Sequence, residues 1–138
     1  MNETINTNKR KIANFRDLEV YQKAYSLSIN VMTKITPLIP EKEKFDLKDQ
    51  LARSCKSIPR LIAEGYGKKH QRLGFQKYLD DAMGESNETI VSLCHVRDIY
   101  KVMPEFCDKM IDEYEVLGRR IYCLSEAWEN FKLKGKKN

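Results

Sequence analysis

The side chains able to do chemistry at neutral pH are two histidines, four cysteines and a scatter of carboxylates. A di-iron centre in a helical protein needs carboxylates from two helices and a Glu-x-x-His pair on each of two others. Three residues before His70 stands Gly67, and three before His95 stands Ser92, so neither histidine has the required glutamate. Cys94 precedes His95, but adjacent residues on a helix point about 100° apart, too far for a nucleophile and its base. Cys94 reads instead as the flank of a core. Glu64 and Glu88 have no neighbour that would tune them for acid–base work. Interhelical hydrogen bonding, or pairing with Arg53 or Arg97, is the expectation for both. Gly65-x-Gly67 followed by Lys68 and Lys69 lacks the preceding strand and the Gly-Lys-Ser/Thr ending of a phosphate loop. No catalytic residue, cofactor or metal is expected, and the chain does not read as an enzyme.

Phosphate recognition is the remaining chemistry, and it needs clustered lysine and arginine. The formal charge of +5 is unevenly distributed. Residues 42–79 hold ten basic and four acidic groups, whereas 80–129 hold five basic and twelve acidic. Both ends of the chain are basic, through Lys9-Arg10-Lys11 and Lys132 to Lys137. The candidate contacts are Arg53, Lys56 and Arg60, then Lys68, Lys69 and Arg72 with His70 among them. No exposed aromatic platform is apparent from sequence, so backbone contact with RNA or DNA is expected without base readout.

The elements that hold these groups show helical periodicity, with apolar spacings alternating three and four. Leu18, Tyr21, Tyr25, Ser28, Met32 and Ile35 align, widened by Ala24, Leu27 and Val31, before Pro37 and Pro40 end the run. A second line is Leu47, Leu51, Ser54, Ile58, Leu61 and Gly65, flanked by Cys55 and Ile62. Phe75 through Ala82, Thr89 and Val96 to Tyr100 makes the third. Met103 through Met110, Tyr114 and Ile121 to Trp128 and Phe131 makes the fourth. No window sustains the alternation of a strand. The chain is predicted to be all-α, an antiparallel up-down-up-down four-helix bundle over residues 15–131. Flexible basic tails are expected at 1–14 and 132–138. Pro59 falls inside the second helix and predicts a kink, since it removes a donor and crowds the Cys55 carbonyl. Gly65 and Gly67 are expected to supply the C-terminal break of that helix, where positive φ is tolerated.

At 138 residues one domain is expected. No apolar run approaches the roughly 20 residues that cross a bilayer. Without an apolar leader segment, and with Cys55, Cys94, Cys107 and Cys123 widely spaced, the protein reads as cytoplasmic with reduced thiols.

Projected at about 100° per residue, Arg53, Lys56 and Arg60 share the outer side of the second helix, beside Ala52 and Ala63. Glu105, Asp108, Asp112 and Glu115 share the outer side of the fourth. These two helices are diagonal in such a bundle, so the stripes cannot neutralise each other within one subunit. Between subunits they can, and Arg53, Lys56, Arg60, Glu105, Asp108, Asp112 and Glu115 form the expected interface of a heterologous assembly.

Phe15-x-Asp17-Leu18, Gln50-Leu51-x-Arg53-Ser54, Ser57-Ile58-Pro59, Ile62-Ala63-Glu64-Gly65, and Ala82-x-Gly84 with Asn87-Glu88 complete the picture. Together they resemble the 23S ribosomal-RNA intervening-sequence proteins across about residues 15 to 125. Distant relatives include the accessory variability determinant of diversity-generating retroelements. The resemblance implies a four-helix bundle, a homopentameric ring, and nucleic acid or a reverse transcriptase as partner. Leu61 departs from the asparagine usual before Ile-Ala-Glu-Gly, Arg60 from a small residue, Glu85 from serine, and His70-Gln71 from a helix cap. The expected function is a non-catalytic ring that binds RNA or DNA backbones. The alternative is a protein-binding adaptor, such as an accessory subunit of a reverse transcriptase.

Overall fold

The computed structural model describes residues 11–137, with side chains through Asn130. Its four long helices are α1 (Glu19–Asn30), α2 (Leu47–Gly67), α3 (Gly74–Tyr100) and α4 (Pro104–Lys137). No strand occurs among the described residues. Each helix packs on its chain neighbours and α1 closes the square against α4.

Cross-helix pairs give the directions. Between α2 and α3, Tyr78 Oη donates to Glu64 at 3.3 Å and Thr89 Oγ1 lies 2.8 Å from Ser54 Oγ. Between α3 and α4, Gln76 reaches Glu129 at 3.2 Å, Ser86 donates to the Tyr114 carbonyl at 3.2 Å, and Arg97 reaches Asp108 at 2.8 Å. In both pairs the numbers rise on one helix as they fall on the other, the order of an antiparallel bundle.

The core runs along the axis through Ala24, Leu27, Leu51, Ile58, Ile62, Leu79, Leu93, Tyr114 and Ile121, all 2% exposed or less. On α2, Ile62 rather than Leu61 is the fully buried residue of that pair. On α1 the buried side is Val20, Ala24, Leu27 and Ser28, continued by Val31 in the next turn, and it is rotated from the expected line. Tyr21 and Met32 fall at its margin, and Tyr25 lies outside. A tyrosine at such a margin keeps its hydroxyl in water while its ring covers apolar surface.

Beyond Asn30 the first helix widens into a π-turn (Val31–Ile35) and tightens into a 3-10 turn (Thr36–Leu38). Pro37 has no amide hydrogen with which to prolong the ladder. Glu43 holds the next connection: its carboxylate accepts the Leu47 amide at 3.1 Å and the Tyr100 hydroxyl. The Tyr100 hydrogen bond, then the Leu47 amide, lowers the Glu43 pKa below the usual carboxylate value. A lowered folded-state pKa gives stability that is present above the unfolded value and lost as pH falls through the folded one. Tyr100→Phe should therefore flatten the acid limb of stability. Urea midpoints measured from neutrality down through the carboxylate range check this, and an unchanged slope would refute the Glu43 contribution.

Pro59 sits buried inside α2, which runs as one helix from Leu47 to Gly67. α2 does break at Gly67 as expected, but without a left-handed glycine: no glycine among the described residues has positive φ. The left-handed positions are Leu73 and Lys101, which bracket α3, and Met103 just before Pro104. Gly65 stays within α2 because it is a packing contact: a Cβ there would lie 2.5 Å from Tyr78 Cβ. Gly74 likewise lets the chain turn against the Lys68 carbonyl.

Within the expected N-terminal tail, residues 12–14 are held by hydrogen bonds. Asn14 Oδ1 accepts the Arg16 amide at 2.8 Å, and Asp17 accepts the Ala13 and Asn14 amides at 2.8 and 3.1 Å. At the other end α4 continues past residue 131 to Lys137. The basic clusters Lys9-Arg10 and Lys132 to Lys137 lie outside the described side chains.

Candidate nucleic-acid and assembly surfaces

Each sequence-level cation occupies a different environment. On α2, Arg53 donates to Asp49 one turn earlier at 3.1 Å. Lys56 and Arg60, also exposed, make no salt bridge to a described residue. They edge a groove of about 400 Å³ between α1 and α2, lined by Phe15, Tyr21, Tyr25, Ile29, Met32 and Pro59. Tyr25 is 52% exposed and Ile29 46%. The rings of Tyr21 and Tyr25 stack with centroids 6.0 Å apart and planes inclined by 26°. Sequence periodicity placed Tyr25 in the core. Its displacement creates an aromatic surface beside the two unpaired cations.

The loop cluster is less free. Lys68 Nζ donates to Tyr78 Oη at 2.7 Å and lies 3.6 Å from Glu64, completing a Lys68–Tyr78–Glu64 chain across α2 and α3. The Tyr78 hydrogen bond, with Glu64 behind it, raises the Lys68 pKa and keeps the ammonium charged. Lys69 lies over the Tyr66 ring, 4.2 Å from its centroid. Tyr66 in turn meets Phe75 and Trp128 edge-on, at 5.8 and 6.4 Å. Arg72 and His70 are exposed. The Tyr66 hydroxyl donates to the Ile12 carbonyl at 3.5 Å, which draws Lys11 and the N-terminal segment to this end of the bundle.

On α4, Glu105, Asp108, Asp112 and Glu115 are exposed as expected, but they are not equivalent. Asp108 is engaged by Arg97 of α3, and neighbouring Glu113 pairs with Lys23 of α1 at 2.9 Å. Glu105, Asp112 and Glu115 make no salt bridge to a described residue. Beside Glu115 a second groove, about 600 Å³, opens between α3 and α4 over Met83, Ile90, Val91, Gly118 and Tyr122. Val91 and Tyr122 are 54% and 55% exposed on this face, opposite the α1–α2 groove. The most exposed large apolar side chain, Phe45 at 87%, lies apart from both grooves under Lys44, whose Nζ is 5.4 Å from the ring.

The residues weighed for catalysis are dispersed. Glu64 is taken up by Lys68 and Tyr78, Glu88 and His95 are exposed, and Cys94 is half-buried against the core. Burial pushes the Cys55 thiol up to about 12 and the Cys107 thiol up to about 11, far from thiolate formation at neutrality. Among the described residues no group of three or more His, Cys, Asp and Glu side chains is placed to hold a metal ion. No described helix is long and apolar enough to cross a membrane.

The class that emerges is an all-helical bundle with a cation-edged aromatic groove on one face and an apolar groove on the opposite face. The family model of the 23S rRNA-intervening sequence proteins matches residues 16–123. The chain belongs to that family. Comparisons with curated proteins and with solved structures returned no match.

Proposed function

We propose that this protein is a non-catalytic, cytoplasmic nucleic-acid-binding bundle that acts as a homo-oligomeric, pentameric ring. The observation that carries the reading is the pair Lys56 and Arg60, exposed and unpaired at the rim of a groove whose lining includes no carboxylate. Uncompensated cations at such a rim suit phosphate, because binding exchanges counterions rather than breaking internal ion pairs. Arg72, and Lys68 and Lys69 once released from Tyr78 and Tyr66, extend the contact to the basic end of the bundle. One subunit offers few contacts, and a ring repeats them, which converts weak affinity into avidity.

The apolar groove between α3 and α4, with unpaired Glu105, Asp112 and Glu115 along α4, supports the assembly half of the reading. A heterologous contact at that face closes a ring when the rotation between copies allows it. The familial match to proteins named for 23S rRNA intervening sequences favours RNA as the polyanion.

Arg60→Glu tests the site. Oligomer mass by native mass spectrometry should remain that of the wild type, while RNA affinity by gel shift falls. The slope of log affinity against log salt should drop by about one or more. Loss of mass instead would assign Arg60 to the contact between copies. Unchanged mass and affinity would remove the basic edge from function. A monomeric wild type would refute the ring and leave the α3–α4 groove to a different protein, as in the adaptor reading.

A further inference from the structure

We infer that the α1–α2 groove is a single-strand site, where bases stack on Tyr25 and Tyr21 while adjacent phosphates meet Lys56 and Arg60. The inference rests on the nucleic-acid reading above and specifies which form of nucleic acid the surface selects. Tyr25 and Tyr21 present stacked rings, and Tyr25 is half out in solvent although it sits mid-helix. An unpaired base has a free π-face and gains from such a ring regardless of its identity, whereas a base in a duplex is already stacked on both sides. Ile29 and Met32 extend the apolar floor beside the rings.

Lys56 and Arg60 stand on the opposite wall, four residues apart on one face of α2. Their Cβ atoms are therefore about 5–6 Å apart, on the scale of neighbouring phosphates along an extended strand. The groove runs towards Phe15, which carries the Arg16 guanidinium 4.6 Å from its ring centroid. A strand leaving the tyrosines in that direction meets Arg16, then Lys69 and Arg72 at the basic end. Aromatic wall, cationic wall and a basic exit share one face. An acidic protein segment would satisfy the cations but would leave the stacked tyrosines without a matching planar group.

The test compares a single-stranded RNA of about 16 nucleotides with a duplex of equal length, binding measured by fluorescence anisotropy and mass by light scattering. Tyr25→Ala should weaken single-strand binding about 10-fold, change duplex binding little, and leave the mass unchanged. Tyr25→Phe should retain the wild-type preference, because it keeps the ring. Equal losses for strand and duplex, or no loss for either, would overturn the stacking site while leaving backbone binding intact. A fall in oligomer mass with Tyr25→Ala would overturn it in favour of a second copy in the groove. Failure of the wild type to bind either RNA would sink the nucleic-acid reading itself.

Discussion

Replacing Gly65 by alanine is expected to destabilise the bundle by about 2 kcal/mol, a fall in Tm of roughly 5–10 °C. Alanine normally favours a helix interior over glycine by up to about 1 kcal/mol, so propensity alone predicts the opposite sign. Sterics decide the outcome. The new Cβ would sit 2.5 Å from Tyr78 Cβ and 3.2 Å from Phe75 Cδ1. The Tyr78 Cβ is fixed to the α3 backbone, so no rotamer relieves the contact and the two helices must part. Parting them also strains the Tyr78–Glu64 and Thr89–Ser54 pairs along the same interface. Gly67→Ala is the internal control, two residues away with nothing within 4 Å of its Cβ position and no positive φ. It should be neutral or stabilising by up to about 1 kcal/mol. Urea melts followed by circular dichroism at constant protein concentration compare the two. Equal effects would show that helix separation does not limit this interface.

Tyr114→Phe is expected to stabilise the protein by about 1–2 kcal/mol. Tyr114 is fully buried, and its hydroxyl is within hydrogen-bond reach of no described protein group. Burial, followed by the nearby Cys55, pushes its pKa well up, which marks an apolar setting for the hydroxyl. Removing that oxygen keeps the ring, and with it the packing, while discarding an unrewarded desolvation cost. The backbone contact from Ser86 to the Tyr114 carbonyl is untouched. Tyr114→Ala, which also deletes the ring, should instead cost about 3–5 kcal/mol through the cavity it leaves. Opposite signs for the two variants at one position separate the hydroxyl from the ring. Destabilisation by Tyr114→Phe would mean that the hydroxyl is paired in solution.

Much of the fold was legible because helical periodicity is written in local spacing. The lines through Leu51 and Ile58, through Leu79 and Leu93, and through Tyr114 and Ile121 are the buried ones. The outward positions of Arg53, Lys56, Arg60, Glu105, Asp108, Asp112 and Glu115 follow from the same projection. The first helix is less legible. Spacing gives the angle between Tyr25 and Ala24 around a helix, but not the width of the arc that its neighbours cover. That width depends on how α2 and α4 sit against α1, and it decided that Tyr25 and Ile29 remain half exposed.

Pairing was equally out of reach of the sequence. Asp108 and Glu115 look alike on a helical projection, yet α3 brings Arg97 to Asp108 and no described residue forms a salt bridge with Glu115. Lys68 and Lys69 look like free loop cations, yet Tyr78 and Tyr66 take them up. Gly65 looks like a helix stop until Tyr78 arrives against it from α3. The sequence by itself determined four helices, their order and the sign of charge along the outer faces of the second and fourth, since these depend on residues a few positions apart. The tertiary structure alone decided which charges are engaged by another helix, where aromatic surface is exposed beside the cations, and why a glycine is needed in the last turn of α2. Each of those depends on the distance between residues from different helices, which local spacing does not encode.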